Sequence, residues 1–202
     1  MGLYNKYVLP RLINLVMQDR ATTQCRSEII PRARGRVVEV GIGSGLNLPF
    51  YGSDVEHVWG VDPSRELLSM TRSKIEKLPF TVELLCESAE KTRLEDDCAD
   101  TVVLTWSLCT IPDTSSALAE MRRVLKPDGK IIFAEHGLAP DRGVRNWQER
   151  TNPWWKRIAG GCNLNRKIDE LITGGGFEIQ ELRKSYLPGP RFLSYTYEGI
   201  AT

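Results

Sequence analysis

Two histidines and five cysteines in 202 residues leave little material for a metal centre. Cys25, Cys86, Cys98, Cys109 and Cys162 are odd in number and form no C-x-x-C pair. With no thiols clustered along the chain, no metal ion is expected. Free thiols in a reducing compartment are expected rather than a disulfide framework. No apolar run approaches the roughly 20 residues that a spanning helix needs. The N-terminal stretch carries no secretory pattern, and Lys6 stands where a myristoylation signal requires Ser or Thr. Charge of one sign is also lacking: 27 Lys/Arg against 26 Asp/Glu give +1. No global field therefore points to nucleic acid. These absences predict a cytoplasmic protein with no transmembrane segment and no nucleic-acid partner.

The content that remains is ordinary for a globular chain, 41% hydrophobic and 26% charged. The length suits one domain over 1–202. Short β-branched runs at 36–40, 57–61, 81–86, 101–105 and 130–134 alternate with helix-like stretches. This alternation predicts βαβ units around a parallel sheet. Two later runs, 178–182 and 192–200, flank Pro188-Gly189-Pro190, which is too short for a crossover helix and predicts an antiparallel pair. Ser64 can cap a helix bearing Leu67, Leu68, Thr71, Ile75 and Leu78. Leu118, Met121 and Leu125 mark another, stopped by Pro127-Asp128-Gly129.

The segment 1–35 is predicted to be helical, with one amphipathic surface helix over about 10–29 that exposes Arg11, Arg20 and Arg26. Residues 137–176 show no clear strand and follow the fifth one, where open α/β sheets bind ligands. They are predicted to form a substrate-covering insertion. Trp147, Trp154 and Trp155 line its pocket or make its own small core. Residues 137–167 hold seven Lys/Arg and two Asp/Glu, a local +5. A solvated basic face is one reading; attraction of an anionic acceptor or peripheral contact with a membrane surface is another.

Chemistry concentrates at Glu39-Val40-Gly41-Ile42-Gly43-Ser44-Gly45, where a buried strand runs into a glycine-rich turn. Such a turn allows a ligand to approach the backbone closely. Asp62 ends the next strand, 21 residues after Gly41, near the offset at which a carboxylate grips ribose hydroxyls. The plainer reading is that Asp62 only caps the following helix. A dinucleotide fingerprint would be G-x-G-x-x-G/A, but here the third glycine comes one residue early and position 46 is Leu. An adenosyl sulfonium has no pyrophosphate, and its ammonium group suits the acidic turn at Glu39.

The motifs E-V-G-x-G-x-G, V-D-P-S, E-S-A-E (87–90), D-T-V-V-L-T-W-S-L-C (100–109) and R-R-V-L-K-P-D-G (122–129) occur in that order. Over roughly residues 30–136 the chain resembles the class I S-adenosylmethionine-dependent methyltransferases of the UbiE-like type. Pro-Asp-Gly replaces the usual Pro-Gly-Gly. Farther on, Glu135-His136, Trp147-Gln148, Pro153-x-Trp155, Gly161-Cys162-Asn163 and Arg166 are similar to the alkyl-thiol methyltransferase branch. Animal members of that branch associate with membranes through a hydrophobic N-terminal helix. This chain departs from them with Lys6, Pro10, Arg11 and Asn14.

The resemblance implies a Rossmann-like α/β fold with a doubly wound seven-stranded sheet, order 3-2-1-4-5-7-6, strand 7 antiparallel. It implies S-adenosylmethionine as donor and S-adenosylhomocysteine as product. Glu39, Gly41, Ile42 and Gly43 would cradle the methionine part, and Asp62 and Pro63 the ribose. Ser88, Ala89 and Glu90 would frame the adenine, and Trp106 would face the methyl. Residues 88–90 as a plain loop and Trp106 as a core aromatic remain the alternatives. His136 is the first candidate base and Asp113 the second, though each also reads as a local hydrogen-bonding group. Cys109 and Cys162 read as small packing residues. The acceptor implied is small and apolar, with a thiol first and a quinone- or phenol-type carbon or oxygen as the alternative. A nucleotide-cofactor oxidoreductase and a non-catalytic cofactor-binding protein are the readings from other classes.

Overall fold

The computed structural model describes Tyr4 and residues 8–202, so Lys6 lies outside the described residues. Five parallel strands form the frame: β1 (Gly35–Val40), β2 (Val55–Val61), β3 (Thr81–Leu85), β4 (Ala99–Thr105) and β5 (Leu125–His136). Val37, Val38 and Val40 of β1 and Val102, Val103 and Leu104 of β4 are buried on both faces of the sheet, as strands between helical layers must be. The chain then turns back through β6 (Ile179–Tyr186) and β7 (Tyr195–Ala201). The sheet order is β3-β2-β1-β4-β5-β7-β6. β7 runs antiparallel to both neighbours. The expected topology is therefore present in full.

Helices α1 (Leu9–Val16), α2 (Arg20–Ile29), α3 (Arg65–Ile75), α4 (Thr114–Val124), α5 (Arg142–Ile158), α6 (Ile168–Gly174) and the short α7 (Arg191–Ser194) clothe the sheet. Ser64 caps α3 by accepting from Leu67 N, and Asp113 caps α4 by accepting from Ser116 N.

The single helix expected over 10–29 is corrected. Asp19 accepts from the N–H groups of Ala21 and Thr22 and starts a second helix, because a capping carboxylate favours a fresh N-terminus over helix continuation. Arg26 is also corrected: it is 4% exposed rather than on the surface. Trp147 and Trp155 pack against Phe192 of α7 rather than forming a separate core. Gln148 secures that junction by donating to Phe192 O. Among the described residues no helix is long and apolar enough to cross a membrane.

Candidate cofactor and acceptor site

The order β3-β2-β1-β4-β5 reverses its winding between β1 and β4, and a crevice at the carboxyl ends of the strands follows from that reversal. A cavity of about 480 Å³ lies there, within the range of small-molecule sites. Glu39, Gly41, Ile42, Gly43, Asp62, Pro63, Ser88, Ala89 and Trp106 all line it. Glu90, His136 and Asp113 are not among its lining residues. Glu90 instead accepts from Asp113 N at 2.9 Å and from the Ser88 hydroxyl. The Asp113 carboxylate is committed to Ser116 at the start of α4. Burial would lower the pKa of His136, but its bond to Cys162, with Glu135 adding attraction, holds it raised overall.

The glycine turn is shaped by geometry that side chains resist. Gly41 has φ +75°, and a Cβ on it would meet Ser107 Cβ at 2.5 Å. Gly43 has φ +56°, and a Cβ there would meet nothing nearer than Gly41 O at 3.8 Å. Such a Cβ would project into ligand space. Gly43 N donates to Asp62 Oδ2 at 3.0 Å, and Ser64 N donates to Asp62 Oδ1 at 2.8 Å. Asp62 is thus both a helix-end acceptor and a wall of the cavity. Burial raises its pKa against those two bonds. Each carboxylate oxygen keeps a second lone pair for a ligand hydroxyl.

Glu39 is 1% exposed. Burial pushes its pKa up to about 7, despite support from Tyr51, Asn47 and Arg26. Asn47 Nδ2 donates to Glu39 Oε1 at 2.9 Å, and the Tyr51 hydroxyl donates to Oε2 at 2.7 Å. Arg26 Nε donates to Asn47 Oδ1 at 3.0 Å, and its guanidinium lies 4.8 Å from the Trp106 ring centroid. Sequence reading missed Arg26, Asn47 and Tyr51 as partners of the acidic turn. Only the stacking of α2 on the strand ends brings them together.

Much of the remaining lining is apolar. α1 contributes Leu9, Pro10 and Ile13 to the lining, Met17 follows at its C-terminal end, and Trp106, Ile111 and Pro112 line the same cavity. Asn14 ties α1 down by accepting from the Ser44 hydroxyl at 2.6 Å. Of residues 137–176, Gly160 lines the cavity, and α1 lines it more extensively. Trp106 holds a left-handed backbone, φ +49°, a conformation that non-glycine residues adopt under outside constraint. Part of that constraint is Glu135, fully buried in β5. It accepts from Ser107 N at 2.7 Å and Leu108 N at 2.9 Å.

Two thiols far apart in the sequence meet in the fold. Cys109 and Cys162, 53 residues apart, bring their sulfurs to 3.9 Å, with His136 Nε2 3.1 Å from Cys162 Sγ.

The methyltransferase domain family matches residues 38–133. Human thiol S-methyltransferase TMT1B is 31% identical over 173 residues, covering 80% of this chain and 70% of that protein. The rat counterpart is 30% identical over 158 residues, covering 76% of this chain and 64% of its own length. The ubiquinone/menaquinone C-methyltransferase UbiE of Burkholderia mallei is 34% identical over 108 residues, covering 52% and 44%. A methyltransferase structure from Methanosarcina mazei superimposes with TM-score 0.68 at 19% identity, covering 84% of this chain and 92% of that one. One from Aquifex aeolicus gives 0.65 at 17%, covering 95% and 97%. Fold, glycine turn and relatives agree: the chain belongs to the class I S-adenosylmethionine-dependent methyltransferases of the UbiE-like type, the group that includes the thiol S-methyltransferases.

Proposed function

We propose that this chain transfers a methyl group to the sulfur of a small apolar thiol. The observation that carries the reading is an apolar part of the cavity lining, shared by α1, on which neither candidate base lies. A thiol has a pKa near ~8.5, so a useful thiolate fraction exists without a strong base. An alcohol would need one. The thiol S-methyltransferases among the relatives support the same acceptor.

The open face of Gly43 and the buried carboxylates suit S-adenosylmethionine. Gly41, Ile42 and Gly43 would approach the methionine part, with Glu39 supplying negative potential for its ammonium group. Asp62 would accept from the ribose hydroxyls beside Pro63. Ser88 and Ala89 would flank the adenine. When bound, the cofactor supplies a methyl on a sulfonium whose departure as a neutral thioether needs no acid. The protein's own part is positioning and exclusion of water. Leu9, Ile13 and Met17 line the cavity, and the constrained backbone of Trp106 fixes another part of its wall.

The test is transfer of labelled methyl from S-adenosylmethionine to a panel of alkyl thiols, phenols and quinones, with products identified by mass. Thioether products from apolar thiols are expected. Label on a ring carbon or phenolic oxygen, with none on sulfur, would overturn the proposal in favour of quinone-type chemistry.

A further inference from the structure

Cys109, His136 and Cys162 form a second cluster that the cofactor cavity does not use. Their Sγ, Nε2 and Sγ atoms all lie within 4.8 Å of one another. We propose that these three residues bind a thiophilic divalent cation, with Zn²⁺ the fitting ion.

The sulfur–sulfur spacing suits coordination, and the three ligand atoms converge within 4.8 Å. Tetrahedral zinc with Zn–S near 2.3 Å and Zn–N near 2.0–2.1 Å separates two sulfurs by about 3.8 Å and a sulfur from a nitrogen by about 3.6 Å. The two sulfurs stand at 3.9 Å, and His136 Nε2 stands 3.1 Å from Cys162 Sγ. Small side-chain adjustments would admit the ion. His136 Nδ1 is buried without a partner, so the ring's polar contact is made through Nε2 toward the sulfurs.

The backbone around the cluster is held on several sides. Glu135 accepts from Cys109 N, and Asn163 donates to Cys109 O through both its backbone N and its Nδ2. Arg166 donates to Leu108 O. Charge also balances. Two thiolates and a neutral imidazole cancel a dication, while the Arg166 cation and the Glu135 carboxylate attract each other alongside. Burial without compensation would be costly, and this set supplies the compensation.

Three protein ligands leave a fourth position for water or another donor. The ion would tie together the segment after β4, the end of β5 and the turn before α6. It would also employ His136 as a ligand and so remove it from any role as base.

The experiment uses the reduced 202-residue chain. Zinc is added, excess is removed by dialysis, and metal per chain is measured. Co²⁺ is then substituted and the near-ultraviolet spectrum recorded. One ion per chain and a thiolate-to-cobalt charge-transfer band are expected. Cys162→Ser and Cys109→Ser should lose the band. They should also weaken zinc binding by more than the roughly 10–100-fold that loss of a supporting residue costs. Cys86→Ser, at an exposed position, should behave as the parent. Circular dichroism identifies any variant that has unfolded, and the half-exposed Cys162 is the variant expected to stay folded. Failure of the reduced parent to retain zinc, or equal retention by folded Cys162→Ser, overturns the proposal. A Cys109–Cys162 disulfide in air with no metal bound by the reduced chain overturns it too.

Discussion

Gly43 N donates to Asp62 Oδ2 at 3.0 Å, so the glycine turn after β1 and the carboxylate after β2 form one rigid unit. The two halves of the cofactor cradle are therefore coupled. A substitution at either residue should disturb both.

Removal of the carboxylate should show that coupling. Asp62→Ala leaves the N–H groups of Gly43 and Ser64 without their acceptor and removes the ribose contact. Bonds to charged groups contribute about 1.5–3 kcal/mol. Calorimetric affinity for S-adenosylhomocysteine should fall by roughly 10- to 100-fold. Unchanged affinity would remove Asp62 from the binding site.

The raised carboxylates give opposite pH signs for binding and for stability. Glu39, at about 7, and Asp62, also raised, ionise as pH rises, and the ionised forms attract the ammonium group and accept from the hydroxyls. Affinity for S-adenosylhomocysteine should therefore strengthen from pH 6 to pH 8. Stability runs the other way. Between the unfolded value of 4.5 and about 7, the folded state holds a proton on Glu39 that the unfolded state has released. Its cost is absent below that window and complete above it, up to about 3 kcal/mol. Melting profiles of Glu39→Gln against the parent isolate this contribution. A parent-minus-variant difference that does not grow with pH would contradict it.

Arg26 is a buried cation held by Asn47 and Met17. Arg26→Ala strips Asn47 Oδ1 of its donor at 3.0 Å, Met17 O of its donor at 2.7 Å, and Glu39 of its nearest positive charge. Breaking a buried charge network costs about 3–5 kcal/mol. At roughly 2–4 °C per kcal/mol for a chain of this size, the melting temperature should fall by at least about 6 °C. A loss under 2 °C would mean the network does little for stability.

The α1 lining should control acceptor affinity with little influence on the cofactor. Ile13→Asn replaces an apolar lining side chain on α1. An apolar pocket contact is worth about 1–3 kcal/mol. Steady-state kcat/KM for an apolar thiol should drop by roughly 10- to 200-fold, while the Kd for S-adenosylhomocysteine moves much less. Equal losses in both would place Ile13 in the cofactor half.

Local sequence carried much of this architecture. The glycine turn, the Asp62 strand end, the Ser64 cap and the antiparallel last pair all rest on signals spanning a few residues. Nine of the ten residues expected to touch the cofactor line the cavity; Glu90 does not. The helix over 10–29 misled because no glycine or proline interrupts residues 11–29, and a cap at Asp19 competes with helix continuation at an energy that pattern alone does not reveal.

The amino-acid sequence by itself determined the strand runs, their caps and the acidic glycine turn, because neighbouring residues decide backbone conformation and one-sided burial. Tertiary structure alone decided that Arg26 turns inward to Asn47, that α1 lines the cavity beside the strand ends, and that Cys109, His136 and Cys162 meet. Cys109 and Cys162, for example, are 53 residues apart. Such contacts follow from how layers stack across the sheet, a quantity set by the packing of the whole chain and invisible to any short window of it.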